Sequence, residues 1–166
     1  MPRKVDYIYL AGILDGEGCV TVGAGRRETC INYNPIVVVQ NTSKQLIDWL
    51  HKTFGGQVYL SKKETSKTKT AWAWRITKKR SIETLLLAVL PYILVKREQA
   101  KLLLTFVRLE RTAPSNLRVK IYEELRVLNS RGKSVTTNMQ NTDNTVKIES
   151  ELHGDMQSDP MVTLED

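Results

Sequence analysis

The spacing of apolar residues changes period several times along the chain, and each change marks an element. From Tyr7 to Leu14 good helix-interior residues follow one another, with Asp6 ahead of them as a cap, which predicts a first helix ending near Leu14. CVTVGA (19–24) and NPIVVVQ (34–40) read as strands, and GAGRRET between them is a turn with two arginines. Thr42 or Ser43 then caps a helix carrying Leu46, Ile47, Leu50 and Phe54 at helical spacing, which Gly55-Gly56 stops. Period two returns in QVYLSKK (57–63) and TAWAWRI (70–76), joined by the basic loop KKETSKTK. Ser81 caps a helix through Leu90, Pro91 interrupts, Lys96 to Leu109 forms another helix, and Pro114 suits the first turn of a last one, 114–129. The order is helix, strand, strand, repeated once and followed by helices, an α+β arrangement.

Alternation assigns faces to the later strands. Trp72, Trp74 and Ile76 share one face and Ala71, Ala73, Arg75 and Thr77 the other; likewise Val58 and Leu60 oppose Gln57, Tyr59, Ser61 and Lys63. One face is core. The other carries polar, small and cationic side chains, with Arg26, Arg27, Lys62, Lys63, Lys67 and Lys69 at its rim. An ordinary solvated face would look similar. The basic rim favours a groove reader, because a two-stranded ribbon fits the major groove and offers Gln, Arg, Tyr and Lys to base edges. Leu85, Leu86, Leu87, Val89 and Leu90, with Leu102, Leu103, Leu104 and Val107, read as helix-packing core.

At 166 residues and 41% apolar, the chain can bury one substantial core. No apolar run is long enough to span a bilayer and no signal-peptide pattern opens the sequence, so no membrane partner is expected and the protein should be soluble and intracellular. Cys19 and Cys30 form neither a disulfide framework nor a metal pattern; His51 and His153 lack metal-ligand company. The charge of +7 is unevenly spread: through Asn138 there are 24 Lys and Arg against 11 Asp and Glu, whereas beyond it one Lys faces seven acids. A solubilising surface accounts for a cationic body, and so does a nucleic-acid partner whose phosphates reward clustered cations by counterion release. Residues 139–166 lack periodicity and read as a disordered acidic tail behind a domain spanning 1–138.

Residues 10–18, LAGILDGEG, end an apolar helix on two acids, although the C-terminal end of a helix dipole favours cations. Gly12, Gly16, Gly18 and Ala11 leave little bulk near that end, which suits close approach by another helix. Carboxylates brought together by such an approach would need a cation between them, and a hard divalent ion bound by carboxylate, carbonyl and phosphate oxygens meets the need.

The stretch resembles the LAGLIDADG motif of homing endonucleases. The element order matches the αββαββα core of that family, and QNT before the second helix and ILVKREQA downstream add to the resemblance. It implies a curved antiparallel sheet with C-terminal helices. It also implies a homodimer, because single-motif members are homodimers, with Leu10, Ala11, Gly12, Leu14 and Asp15 at the interface. By the same resemblance Glu17 and the Gly16 carbonyl would bind Mg2+ or another divalent cation such as Mn2+. Gln40 would orient the attacking water, Lys44 would belong to the same pocket, and Lys96 would support the nucleophile or stabilise charge. Asp15 would be structural. Thr21, Arg26, Arg27, Gln57, Tyr59, Ser61, Lys63, Lys67, Lys69, Arg75, Arg131 and Lys133 would contact double-stranded DNA. The implied activity is a double-strand break with short 3′ overhangs in a pseudo-palindromic site of roughly 20 bp, about one helical turn per protomer. An RNA maturase or a non-cleaving DNA binder on the same scaffold is the alternative. The resemblance fits an organelle or a bacterial cytoplasm equally.

Overall fold

The computed structural model describes residues 1–26, 31–110, 112 and 114–130, Arg26 in its backbone alone. Arg27, Arg131, Lys133, the boundary at Asn138 and the acidic tail lie outside the described residues.

Helix α1 (Lys4–Glu17) extends past both ends of the apolar run. Arg3 is its N-cap and donates its backbone N–H to the Asp6 carboxylate at 2.7 Å. Asp6 therefore acts from the third helical position, the acidic half of a capping box, and is not itself the cap. Strands β1 (Gly18–Arg26) and β2 (Ile31–Asn41) form an antiparallel hairpin with Val20 opposite Val37. Helix α2 (Lys44–Phe54) is capped by Ser43, whose Oγ accepts from the Leu46 N–H at 3.4 Å. It ends where the backbone turns through Gly55 and Gly56 at φ of 71° and 89°. A Cβ on Gly56 would lie 2.8 Å from the Arg75 carbonyl oxygen, so both conformation and space require glycine there.

Strands β3 (Gln57–Lys62) and β4 (Ala71–Ile76) form the second hairpin, and β4 pairs with β2 to give one antiparallel sheet of order β1-β2-β4-β3. Helix α3 (Lys79–Val89) begins after Lys78, so Ser81 sits inside its first turn and does not cap it. Helices α4 (Arg97–Arg108) and α5 (Ser115–Asn129) complete the described chain.

One face of the sheet supplies Val20, Val22, Val37, Val39, Trp74 and Ile76 to a core shared with Leu10 and Leu14 of α1, Ile47 and Leu50 of α2, and Ile82 and Leu86 of α3. Each such buried side chain contributes roughly 1.5–3 kcal/mol relative to exposure. Aromatic rings tie α1 to α2: Tyr9 meets Trp49 edge-on at 5.1 Å, and Tyr7 meets Phe54 at 5.5 Å. Leu87, expected in the core, is 47% exposed, because α3 buries only the stripe Ile82, Leu85, Leu86 and Val89. No helix among the described residues is long and apolar enough to cross a membrane.

Candidate active site

The opposite face of the sheet is not covered by the core. Its rows follow from the pairing register: Gln57, Arg75 and Val38 lie across from one another, as do Tyr59, Ala73 and Gln40, while Thr21 of β1 faces Ile36. Tyr59 is 42% exposed and Gln57 and Gln40 are exposed, whereas Thr21 and Arg75 are half-buried. Ala73, expected to be accessible here, has no exposed surface, since the longer side chains of Gln40 and Tyr59 flank it. Ile36 and Val38 make the middle of this face less polar than the later strands alone suggest.

At the end of β3 the alternation breaks. Leu60 pairs with Trp72, but the next partner of Ala71 is Lys62, so Ser61 is the extra residue of a β-bulge. Ser61 and Lys63 were the residues expected on the open face; the bulge shifts the parity and puts Lys62 there with Ala71 and Ala73. Lys63, Lys67 and Lys69 are exposed beyond the strand. There Thr65 and Thr68 close a turn with their hydroxyls 2.7 Å apart and the Thr65 N–H donating to the Thr68 carbonyl at 2.9 Å.

The C-terminal corner of α1 explains its first acid. Asp15 accepts the Leu94 N–H at 2.8 Å and the Lys96 N–H at 2.9 Å, just ahead of the first turn of α4. The Lys96 ammonium turns back onto the carbonyls of Leu14 and Asp15, each at 2.7 Å. The acid is thus at the unfavourable end of its own helix but beside the positive N-terminal end of another. Burial pushes the Asp15 carboxyl up, yet the N–H groups of Leu94, Lys96 and Val95, with the charge of Lys96, hold it below the usual aspartate range. Burial likewise raises the Cys19 thiol, against the opposing charge of Lys96.

Beside this corner an open cleft of about 270 Å³ is lined by Glu17, Gln40, Asn41, Thr42, Lys62 and Ala71. Glu17 arrives from the last turn of α1, Gln40 and Asn41 from the end of β2, and Lys62 from the bulge. The Asn41 carboxamide nitrogen donates to Glu17 Oε2. Its oxygen accepts the Ser43 N–H at 2.7 Å, which fixes which end of the amide faces the carboxylate. Lys44, expected in the same pocket, is held elsewhere: it pairs with Asp48 one turn along α2 at 2.6 Å and lies 5.3 Å from the Trp72 ring centroid. Lys62, expected only at the basic rim, and Asn41, noted only within QNT, are polar cleft residues to which the sequence assigned no role there. Asn41 carries a readable signal, an Asx-type turn leading into a helix; the unbroken alternation of QVYLSKK carries none for the bulge.

Among the described residues no group of three or more His, Cys, Asp or Glu comes together. The cleft has one carboxylate among the described residues, Glu17, near the last carbonyls of α1 at the negative end of its dipole. These are hard oxygen donors, suited to a magnesium-like cation that also uses phosphate oxygens and water.

The residues expected at a dimer interface divide between a buried and an open side of α1. Leu10, Ala11 and Leu14 have no exposed surface, being part of the chain's own core, and Asp15 is engaged by the chain before α4, so of the expected interface residues Gly12 is the one that lies open. The exposed line is Val5, Ile8, Tyr9, Gly12 and Gly16; nothing lies within 4 Å of a Cβ built on either glycine. A groove of about 590 Å³ runs along it to Glu17, lined by Ile8, Tyr9, Gly12, Ile13, Gly16, Glu17 and Leu46.

No family model matches the sequence, and no curated protein matches it. Solved structures do. Homing endonuclease I-CvuI, in complex with the I-CreI target in the presence of 2 mM Mg with the DNA not cleaved, is 23% identical, with 80% of this chain and 87% of that chain covered at a TM-score of 0.64. The archaeal intron-encoded homing endonuclease I-Vdi141I complexed with DNA is 13% identical over 78% of this chain and 87% of that one, at a TM-score of 0.64. The LAGLIDADG homing endonuclease I-GzeII, in complex with its DNA target, is 11% identical over 96% of this chain and 53% of that one, at 0.55. The chain has the fold of the LAGLIDADG homing endonucleases.

Proposed function

We propose that this protein is a site-specific DNA endonuclease that cuts both strands of a long pseudo-palindromic site as a homodimer, using a divalent cation. The observation that carries the reading is the meeting of Glu17, Gln40 and Lys62 around one open cleft at the end of an uncovered sheet face. The shared fold adds weight, because its solved neighbours include homing endonucleases bound to DNA.

Glu17 and the Gly16 carbonyl are the groups that would hold magnesium or manganese. When bound, such an ion supplies Lewis-acid neutralisation of a phosphate and a more acidic water. Asn41 orders the Glu17 carboxylate by binding one oxygen, and the other takes no hydrogen bond among the described residues. Gln40, exposed at the strand end, can accept from a water with its amide oxygen and donate to a phosphate with its nitrogen. Lys96 draws the last carbonyls of α1 together and places a positive charge behind the corner.

A second copy fits the glycine-bearing line of α1. Gly12 and Gly16 lie one turn apart and admit close backbone approach, while Val5, Ile8 and Tyr9, all more than two-fifths exposed, supply apolar area. Leu94 and Val95, in the segment that binds Asp15, are 78% and 74% exposed. With a twofold axis there, two Glu17 corners come near each other and the two sheet faces read two half-sites of about 10 bp each.

The test is cleavage of plasmid carrying the DNA site into which the gene's own element is inserted, with and without magnesium, by wild type and Glu17→Gln. A linear product from wild type with magnesium alone supports the reading. Equal cutting by Glu17→Gln would sink the assigned role of Glu17. Tight binding without cutting would favour a non-cleaving binder, and binding confined to the precursor RNA a maturase.

A further inference from the structure

Resting on the cleavage reading above, we propose that Lys62 is a catalytic residue, whose ammonium contacts the phosphate being cut and offsets the charge that gathers on it. In hydrolysis a water oxygen bonds to phosphorus as the bond from phosphorus to the 3′-oxygen breaks; the water proton passes to solvent, and the 3′-oxygen leaves with its electron pair and takes a proton from solvent. Negative charge grows on the phosphoryl oxygens along the way, and a cation free to meet it lowers the barrier.

Lys96, Lys44 and Lys62 differ in what they already hold. Lys96 spends two of its three N–H donors on Leu14 and Asp15, each at 2.7 Å, which makes it a brace for the corner. Lys44 is bound to both Asp48 oxygens, at 2.8 and 2.6 Å. Lys62 lines the cleft with Glu17 and Gln40, is exposed, and enters none of the ion pairs formed among the described residues. Its placement is built in. Without the bulge at Ser61, Lys62 would share the face of Val58 and Leu60, turned towards the core; with it, Lys62 stands opposite Ala71, whose small side chain leaves the cleft open. A free lysine head group on a flexible stem can follow a phosphate as its charge changes.

The experiment uses the full chain as wild type, Lys62→Gln, Lys62→Arg and Glu17→Gln. Duplexes are recovered by binding to Glu17→Gln from a pool randomised over about 20 bp, the footprint expected of two half-sites. Single-turnover cleavage is then timed with protein in excess, and affinity is measured separately over a salt series. The expected result is a roughly hundredfold slower cleavage step in Lys62→Gln, the size typical of losing one charge-stabilising donor, with affinity within a fewfold and Lys62→Arg close to wild type. Lys62→Gln cutting as fast as wild type overturns the proposal, as does a loss confined to affinity with an altered preferred sequence, which would make Lys62 a base reader. Failure of wild type to cut any recovered duplex overturns both this proposal and the cleavage reading. Active wild type with inert Glu17→Gln and unaffected Lys62→Gln removes only the role of Lys62.

Discussion

Asp15 offers a direct test of how the corner is held, independent of any DNA. Replacing it with Asn keeps shape and volume but removes the charge and one acceptor. The carboxylate accepts two main-chain N–H groups on different oxygens, Leu94 at 2.8 Å on Oδ2 and Lys96 at 2.9 Å on Oδ1. An Asn oxygen can serve one of them, and its NH2 then points donor against donor at the other. Hydrogen bonds to a charged group contribute about 1.5–3 kcal/mol each. With Asp15 only half-buried, the lower end applies, and the total loss is about 2–4 kcal/mol. For a domain of this size that lowers Tm by roughly 6–15 °C. The loss should depend on pH in a defined direction. The folded carboxyl is held below its ordinary value, chiefly by those N–H donors against the opposing effect of burial. Its contribution is therefore complete above the unfolded value of about 3.9 and vanishes as pH falls through the lower folded value. Urea and thermal unfolding of wild type and Asp15→Asn, at equal protein concentration from neutral pH to about 3, measures both effects. The reasoning is refuted if the variant lies within about 0.5 kcal/mol of wild type at neutral pH, or if the gap between them fails to narrow below pH 4.

Gly56→Ala should destabilise the fold by at least about 2 kcal/mol in urea unfolding, since a Cβ at φ 89° meets the Arg75 carbonyl oxygen at 2.8 Å. Gly12→Leu should raise protomer helix stability by about 0.5–1 kcal/mol while abolishing dimers in sedimentation equilibrium. Dimers persisting in that variant would move the twofold axis off α1. Asn41→Ala frees the Glu17 carboxylate from its one side-chain partner in the cleft. Manganese titrated calorimetrically against protein bound to an uncleavable duplex should then bind about tenfold more weakly, the lower end for losing a group that orients a metal ligand; unchanged affinity would count against the positioning role.

The elements were legible in the sequence because their signals are local. β-branched runs, Gly55-Gly56 and Ser43 each act within a few residues, and the structure keeps every expected element, with bounds that move by up to about three residues. Ser81 and Asp6 misled as caps for the same reason. Either side chain can serve the first turn from inside, and the choice is made by neighbours such as Arg3, whose N–H the Asp6 carboxylate takes.

What the sequence could not show is mostly about faces. The apolar run from Tyr7 to Leu14 tells that α1 packs on something, but not that Leu10, Ala11 and Leu14 enter the chain's own core while Gly12 and Gly16 face outward. Residues 10 and 14 lie one turn apart on one stripe, and 12 and 16 lie one turn apart on another, roughly opposite. A motif with one buried and one open face therefore reads as a single apolar string. The acids divide in the same way. Asp15 is directed inward to the chain before α4, and Glu17, two residues on, emerges into the cleft. The puzzle of carboxylates at the end of a helix resolves into two separate answers: one acid meets N–H donors of the same chain, and the other stands at the negative end of α1 beside the Asn41 amide. Among the described residues the Asn41 amide is the one group that binds the Glu17 carboxylate, and a carboxylate at the negative end of a helix is the local arrangement that a cation would relieve.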